Sequence, residues 1–195
     1  MMSTHSIELI DMNSPHIVAA ANLHIRCLPS TITSQRGSMT LAGIYRRLIQ
    51  RGHSVSVAVD GERVLGGIVV LRAKRPTSRW YVLLYRPWSW WLAMFRLGLI
   101  SFLRQLVDVT SLQRSADSLP PHDYIIAVYV DETVRGVGIG RHLVESVVES
   151  SRVRQVKLLV DTNTDNIVAL ALYRRLGFEV YKQTKLSTML ISNRE

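Results

Sequence analysis

Residues 124–141, YIIAVYVDETVRGVGIGR, constrain the fold of this chain more than any other stretch. Residues 125–130 form a nearly unbroken apolar, β-rich run, the pattern of a strand buried on both faces. Gly136, Gly138 and Gly140 then alternate through a turn, and from Ile139 onward Leu143, Val144, Val147 and Val148 recur at helical spacing. A strand therefore passes through a glycine turn directly into a helix. Such a turn brings unpaired backbone N–H groups and the positive end of a helix dipole to one point. Missing Cβ atoms let a diphosphate come close to the main chain, and successive N–H groups form a concave nest. A single glycine would indicate only a tight turn; three alternating ones point to an anion seat.

Spacing narrows the ligand. A nucleoside-triphosphate loop ends in Gly-Lys-Ser/Thr, whereas Gly140 is followed by Arg141 and His142. The dinucleotide fingerprint G-x-G-x-x-G fails too, since its last glycine would fall on Arg141 or Leu143. Asp161 stands about where the ribose-binding acid of that fingerprint would, but too little chain follows it to complete a doubly wound sheet. What remains, Arg135-x-x-Gly138-x-Gly140, resembles the acyl-CoA loop of the GNAT superfamily of N-acyltransferases, Gln/Arg-x-x-Gly-x-Gly/Ala. Downstream, Asn166-x-x-Ala169-x-x-Leu172-Tyr173-x-x-Leu176-Gly177-Phe178 resembles the second signature of the same superfamily, in the right order and at the right distance. The two signatures cover residues 124–178; the N-terminal half agrees in layout only. Glu132 stands where the family often has proline.

The remaining pattern predicts the other elements. Residues 7–10 read as a first strand, and Ser14 as N-cap with Pro15 in the first turn starts a helix that runs to about Cys27 and stops before Pro29. Residues 30–38 are a polar loop; Leu41, Ile44, Tyr45, Leu48 and Ile49 then mark an amphipathic helix ended by Gly52. Residues 54–59 and 63–71 flank Asp60-Gly61 as a hairpin. After the glycine turn and its helix, residues 156–160 form a fifth strand, Thr164 or Asp165 caps a helix through Leu176, Gly177 closes it, and residues 178–182 and 186–191 are terminal strands. The resemblance implies an α/β (α+β) fold of GNAT type: a mixed central sheet splayed between strands 4 and 5, flanked by helices, with acyl-CoA in the splay.

Composition bounds the rest. A chain of 195 residues, 47% hydrophobic and 20% charged, suits a single domain over residues 1–195. No basic segment followed by a long apolar run opens the sequence, so no secretory signal is expected and the location expected is cytoplasmic. Cys27 is the single cysteine, so no intramolecular disulfide forms; on the apolar side of its helix it reads as a small buried side chain. No Cys/His cluster has metal-ligand spacing, and no metal is expected.

The net charge of +9 is local. Between Arg63 and Val107 stand Arg63, Arg72, Lys74, Arg75, Arg79, Arg86, Arg96 and Arg104, with no Asp or Glu. They are interleaved with Trp80, Trp88, Trp90 and Trp91 rather than spread over one face, so nucleic acid is not the expected partner. Half of them, Arg79, Arg86, Arg96 and Arg104, belong to an insertion at about 76–119, long for a hairpin connection, between strands 3 and 4. Its apolar residues, Trp88, Trp91, Leu92, Phe95, Leu99, Phe102, Leu103 and Leu106, fall on one helical stripe. A membrane span is disfavoured because Arg86, Arg96 and Arg104 interrupt it. The cover expected for this helical insertion is its own sheet or a homodimer partner, ahead of an acceptor-site wall and of peripheral membrane contact.

The resemblance also implies a chemistry: transfer of an acetyl group from acetyl-CoA, as co-substrate, to an amine acceptor. Backbone N–H groups of Gly136, Val137, Gly138, Ile139, Gly140 and Arg141, beside Arg135, would meet the diphosphate, and Val128, Tyr129 and Val130 would pair with the pantetheine arm. Val130 would supply the oxyanion donor, an effect worth ~3 kcal/mol where such donors have been removed. Asn166 would contact the arm or the diphosphate; its plainer reading is a helix-start residue. Tyr173 matches the family tyrosine that faces the sulfur, against the alternative of a core tyrosine. Asp161 stands where some members carry a glutamate base, though an Asp at a strand end is as often a turn residue; Asp123 is the reserve base. A lysine-like amine loses about 4.6 kcal/mol in becoming neutral at pH 7, an α-amine only about 1 kcal/mol, so the need for a base depends on the acceptor. The function classes left open are an N-acyltransferase, a non-catalytic CoA-binding module, and a membrane or partner binder on the same fold.

Overall fold

The computed structural model describes residues 6–10, 13–29, 37–72, 116 and 119–192. The insertion read at 76–119 lies almost wholly outside the described residues. Two compact units make up the chain: Met1–Arg72 with Asp123–Gln155, and Ala73–His122 with Val156–Glu195.

In the first unit the order is β1 (Ser6–Leu9), α1 (His16–Cys27), α2 (Ser38–Gln50), β2 (Ser54–Asp60), β3 (Arg63–Leu71), β4 (His122–Val130) and α3 (Ile139–Val153). Its strands run antiparallel in the order β1-β2-β3-β4, with Ile7 opposite Ala58, Val57 opposite Gly67, and Gly67 opposite Tyr129. The period-3.6 apolar faces of α1 and α2 bury Ile17, Ala20, Ala21, Leu23, Leu41, Ala42, Tyr45 and Leu48 with Val55, Val57 and Val59 of β2 in one core. The N-cap of α1 is Pro15, one residue later than the Ser14 expected; the Ser14 hydroxyl accepts from the His16 N–H at 3.3 Å and the Ser14 carbonyl from the Ile17 N–H at 3.3 Å.

Two features of this sheet set the geometry of β4. Opposite Val69 and Val70 stand Ala127 and Ile125, so Ile126 is one residue too many, a bulge that bends the strand. Further along, a Cβ on Gly67 would stand 2.4 Å from the Tyr129 hydroxyl, and one on Gly66 would stand 2.9 Å from the Tyr129 carbonyl oxygen. Tyr129 thus fills the space that side chains on β3 would need.

The second unit holds β5 (Lys157–Asn163), α4 (Ile167–Arg175), β6 (Phe178–Gln183) and β7 (Ser187–Ser192), with the strands antiparallel in the order β5-β7-β6. Leu158, Leu159 and Val160 are buried, as are Met189, Leu190 and Ile191 of the facing strand. Two details differ from the sequence reading. Strand β5 continues past residue 160 because its pairing with β7 runs on to Asn163 opposite Ser187, so Asp161 is interior to a strand and not a turn residue. Neither Thr164 nor Asp165 caps α4: the Thr164 N–H donates to the Leu186 carbonyl, and the cap is Asn166, whose side-chain oxygen accepts from the Ala169 N–H at 3.2 Å. Gly177, at φ 81°, ends the helix.

Candidate functional site

The site begins where β4 ends. The Asp131 N–H donates to the Leu65 carbonyl at 2.8 Å, and Gly66 lies opposite Val130. Backbone groups alternate sides along a strand, so the N–H groups of Val130 and Val128 point to the edge of β4 away from β3. This orientation suits both as main-chain donors. Tyr129 differs: its backbone faces β3 and its ring is in the core.

After β4 the chain makes a short 3-10 turn, Glu132–Val134, capped by Asp131, whose carboxylate accepts from the Thr133 N–H at 3.0 Å and the Thr133 hydroxyl at 2.8 Å. Arg63, at 3.4 Å, and Arg26, at 3.5 Å, ion-pair with the same carboxylate. The Thr133 hydrogen bonds, helped by Arg63, hold the buried Asp131 carboxyl below its usual pKa. A single carboxylate thereby ties the last turn of α1 and the start of β3 to the turn that leads into the glycines.

The glycine turn follows. Gly136 has φ 85° and Gly138 φ 96°, the left-handed region that favours glycine, and a Cβ at either would project into open space. Gly138 is the N-cap of α3, which has no side-chain cap among the described residues and no acid in its first turn. The first main-chain acceptor at this end is the Gly138 carbonyl, which takes the His142 N–H at 3.0 Å. The N–H groups of Ile139, Gly140 and Arg141 precede that bond and belong to the unpaired first turn of a helix. Gly140 serves packing: its Cβ would touch the Val130 side chain at 3.5 Å. Ile139 is buried and anchors the helix, Val137 is exposed, and the Arg141 guanidinium bonds Glu145 at 2.7 Å. Arg135 folds back so that its Nε donates to the Val130 carbonyl at 3.3 Å, and the Cys27 thiol donates to the same oxygen at 3.3 Å. Burial pushes that thiol's pKa up, so Cys27 is no thiolate nucleophile.

In the second unit, Tyr173 is 5% exposed, its ring centroid 5.6 Å from that of Phe178. Burial, with the Asp161 carboxylate adding to it, raises the phenol pKa, so Tyr173 keeps its proton throughout the physiological range. Asp161 is exposed on β5, across from Met189. Asn166 uses its side chain as the cap of α4. Asp123, the reserve base, is 1% exposed and ion-paired with the partly exposed Arg154.

Sequence reasoning missed two polar sites in the core. His24 is buried, its Nδ1 2.7 Å from the Tyr45 hydroxyl, which donates to that of Tyr129 at 3.3 Å. Burial lowers the His24 pKa to about 4, so this histidine is neutral at pH 7. The adjacent Gly66-Gly67 inside a strand pattern was the available signal, since glycines there mark a close approach. The other site is Asp131, whose partners lie far apart in sequence and leave no local pattern.

Among the described residues there is no group of three or more His, Cys, Asp or Glu able to hold a metal, and no helix is long and apolar enough to cross a membrane. The profile of the acetyltransferase (GNAT) family matches residues 19–178. Over 61 residues the chain is 41% identical to the N-alpha-acetyltransferase RimI of Mycobacterium tuberculosis; the match covers 31% of this chain and spans only 37% of that relative. Among solved structures, a putative acetyltransferase from Salmonella typhimurium with its cofactor acetyl-CoA superposes with a TM-score of 0.62 at 14% identity, covering 98% of this chain and 94% of its own. The ribosomal-protein-alanine N-acetyltransferase from Brucella melitensis gives a TM-score of 0.60 at 18% identity, covering 97% of this chain and 99% of its own. These likenesses establish the fold expected from the sequence, and with a profile match over most of its length, ending at the Phe178 of the second signature, the chain belongs to the acetyltransferase (GNAT) family.

Proposed function

We propose that this chain is an acetyl-CoA-dependent N-acetyltransferase that moves an acetyl group to a primary amine by direct attack in a ternary complex. The observation that carries the reading is the uncapped N-terminus of α3 behind Gly136 and Gly138, next to a strand whose Val128 and Val130 N–H groups turn away from β3. The arrangement fits the co-substrate chemically: the first-turn N–H groups and the helix dipole would hold a diphosphate, with Arg135 and Arg141 beside it. Room for the phosphates exists where Cβ atoms on Gly136 and Gly138 would otherwise stand. A putative acetyltransferase of like fold, solved with its cofactor acetyl-CoA, supports the same co-substrate here.

Three steps fall to this chain's own groups. The Val130 N–H would donate to the thioester carbonyl oxygen as negative charge develops there, when the amine nitrogen bonds to the acyl carbon and the carbon–sulfur bond breaks. Tyr173, kept protonated by burial, would give its proton to the leaving sulfur. Asp161 would take the proton lost by the attacking nitrogen, directly or through water. The products are an N-acetyl amide and the free thiol.

The acceptor class is a primary amine: an amino sugar, an amino acid, a polyamine or a protein N-terminus. The relative named as an N-alpha-acetyltransferase favours an α-amine, which needs the least help from a base. Release of free thiol from acetyl-CoA across a panel of amines tests both points. Faster release with peptides bearing a free α-amine than with ε-amines is expected. No release with any amine, despite acetyl-CoA binding, would leave the non-catalytic CoA-binding reading in its place.

A further inference from the structure

The first unit contains a cavity that the proposed reaction does not use. Its volume is about 240 Å³, and Ser54, Ser56, Val70, Arg72, Ser146, Ser150 and Arg154 are among its lining residues. Backbone periodicity assembles it. Ser54 and Ser56 share one face of β2 by the two-residue period of a strand, and Val70, paired with Ser54, leads to Arg72 just past the end of β3. Ser146, Ser150 and Arg154 recur every four residues along α3 and its C-terminus, so they form one stripe. These residues run from the middle of α3 to its C-cap, away from the glycine turn at its first residue.

The polar chemistry of this cavity is incomplete. Among the described residues, the buried Nε of Arg72 has no hydrogen-bond partner. Ser54 is 7% exposed and Ser56 8%, and neither hydroxyl bonds any described residue. A buried donor without an acceptor, as at Arg72 Nε, is costly and therefore rare in folded proteins. Arg154 is already engaged, with Asp123 at one end of its guanidinium and the Ser150 carbonyl at Nε, so its charge is largely offset. Ser146 donates to the Leu143 carbonyl. Among the described residues, Arg72 thus remains the cation of this cavity with no ion pair. The chain that follows it carries no Asp or Glu before Val107.

We propose that this cavity binds a tetrahedral oxyanion, the phosphate group of a small molecule or phosphate itself, between Arg72 and the Ser54 and Ser56 hydroxyls. A tetrahedral anion accepts from a guanidinium N–H and from several hydroxyls at different angles, whereas a planar carboxylate prefers the two-pronged guanidinium face. The occupant sits beside α3, whose other end bears the glycine turn, and this site stands whether or not acetyl transfer is the reaction.

The test is calorimetric titration of the full chain with inorganic phosphate and, separately, with glycerol 2-phosphate, each with and without CoA. Saturable binding that persists in the presence of CoA, weakened at least tenfold in Arg72→Met and several-fold in the Ser54→Ala/Ser56→Ala double variant, is the expected result. Uptake of the free ion alone identifies a phosphate site, and uptake of both identifies a phosphomonoester site. Unfolding temperatures without phosphate show that each variant is folded; should Arg72→Met not fold, the serine variant decides. Absence of binding, affinity unchanged in the folded variants, or loss of binding when CoA is added would overturn the proposal, the last by placing the phosphate at the glycine turn.

Discussion

Tyr173 shows how burial and chemistry combine in one side chain. It is packed against Phe178 in the core of its unit, which alone would make it a structural tyrosine. The raised pKa keeps the phenol a proton donor, as a thiolate leaving group requires. Tyr173→Phe preserves the packing and removes only the proton. Turnover is expected to fall ~10²-fold with little change in KM for acetyl-CoA, because the lost interaction belongs to the transition state. Unchanged kcat would leave Tyr173 a core residue only. His24 makes the opposite case, a titratable group held for structure. Unfolded, it takes a proton near 6.5; folded, only near pH 4. Between those values the unfolded chain binds more protons, so this residue's contribution is present above pH 6.5 and lost as the pH falls toward 4. Unfolding temperatures measured across that window should drop less steeply in His24→Gln than in the natural chain, and equal slopes would remove His24 as the cause.

At the scale of elements, two pairs of glycines have separate duties, and substitution distinguishes them. A side chain on Gly138 meets open space but must adopt φ 96°, costing ~1–2 kcal/mol in strain. Gly138→Val is therefore expected to stay folded and to lose acetyl-CoA binding by calorimetry, since its side chain fills the space of the diphosphate. Gly67→Ala drives a methyl group into the Tyr129 ring. It should lower the unfolding temperature and spare the affinity of the folded fraction. Equal CoA affinity in Gly138→Val would contradict the assignment of the glycine turn. The glycine turn was legible in the sequence because strand, turn and helix are each local patterns that meet within eighteen residues. The cap of α4 was not: β7 holds β5 in register as far as Asn163 and engages Thr164, which moves the helix start to Asn166. Asp131 escaped notice for the same reason, since Arg26 and Arg63 come to it from α1 and β3.

At the scale of the whole molecule, charge is the organising question. The excess of +9 is concentrated between Arg63 and Val107, together with all four tryptophans. An apolar surface of one charge sign marks a contact, and the expected cover is protein, from this chain or a second copy. Flotation with acidic vesicles at low salt should leave the protein behind, and a water-soluble quencher should reach the tryptophans poorly without lipid. Recovery of the protein with the vesicles, lost when Arg86 and Arg96 are replaced by glutamate, would assign the segment to a membrane surface, where each basic residue is worth about 1 kcal/mol.

The buried phenols of Tyr45, Tyr129 and Tyr173 give the molecule an optical clock. All three have raised pKa values, so in alkaline solution their ionisation must wait for the chain to open. A jump to high pH should therefore produce tyrosinate absorbance in two phases. The immediate phase comes from rings that solvent already reaches. The slow one is timed by unfolding, and two of its three chromophores stand in the core beside β3 and α2, so its half-life reads the kinetic persistence of the native sheet without any label.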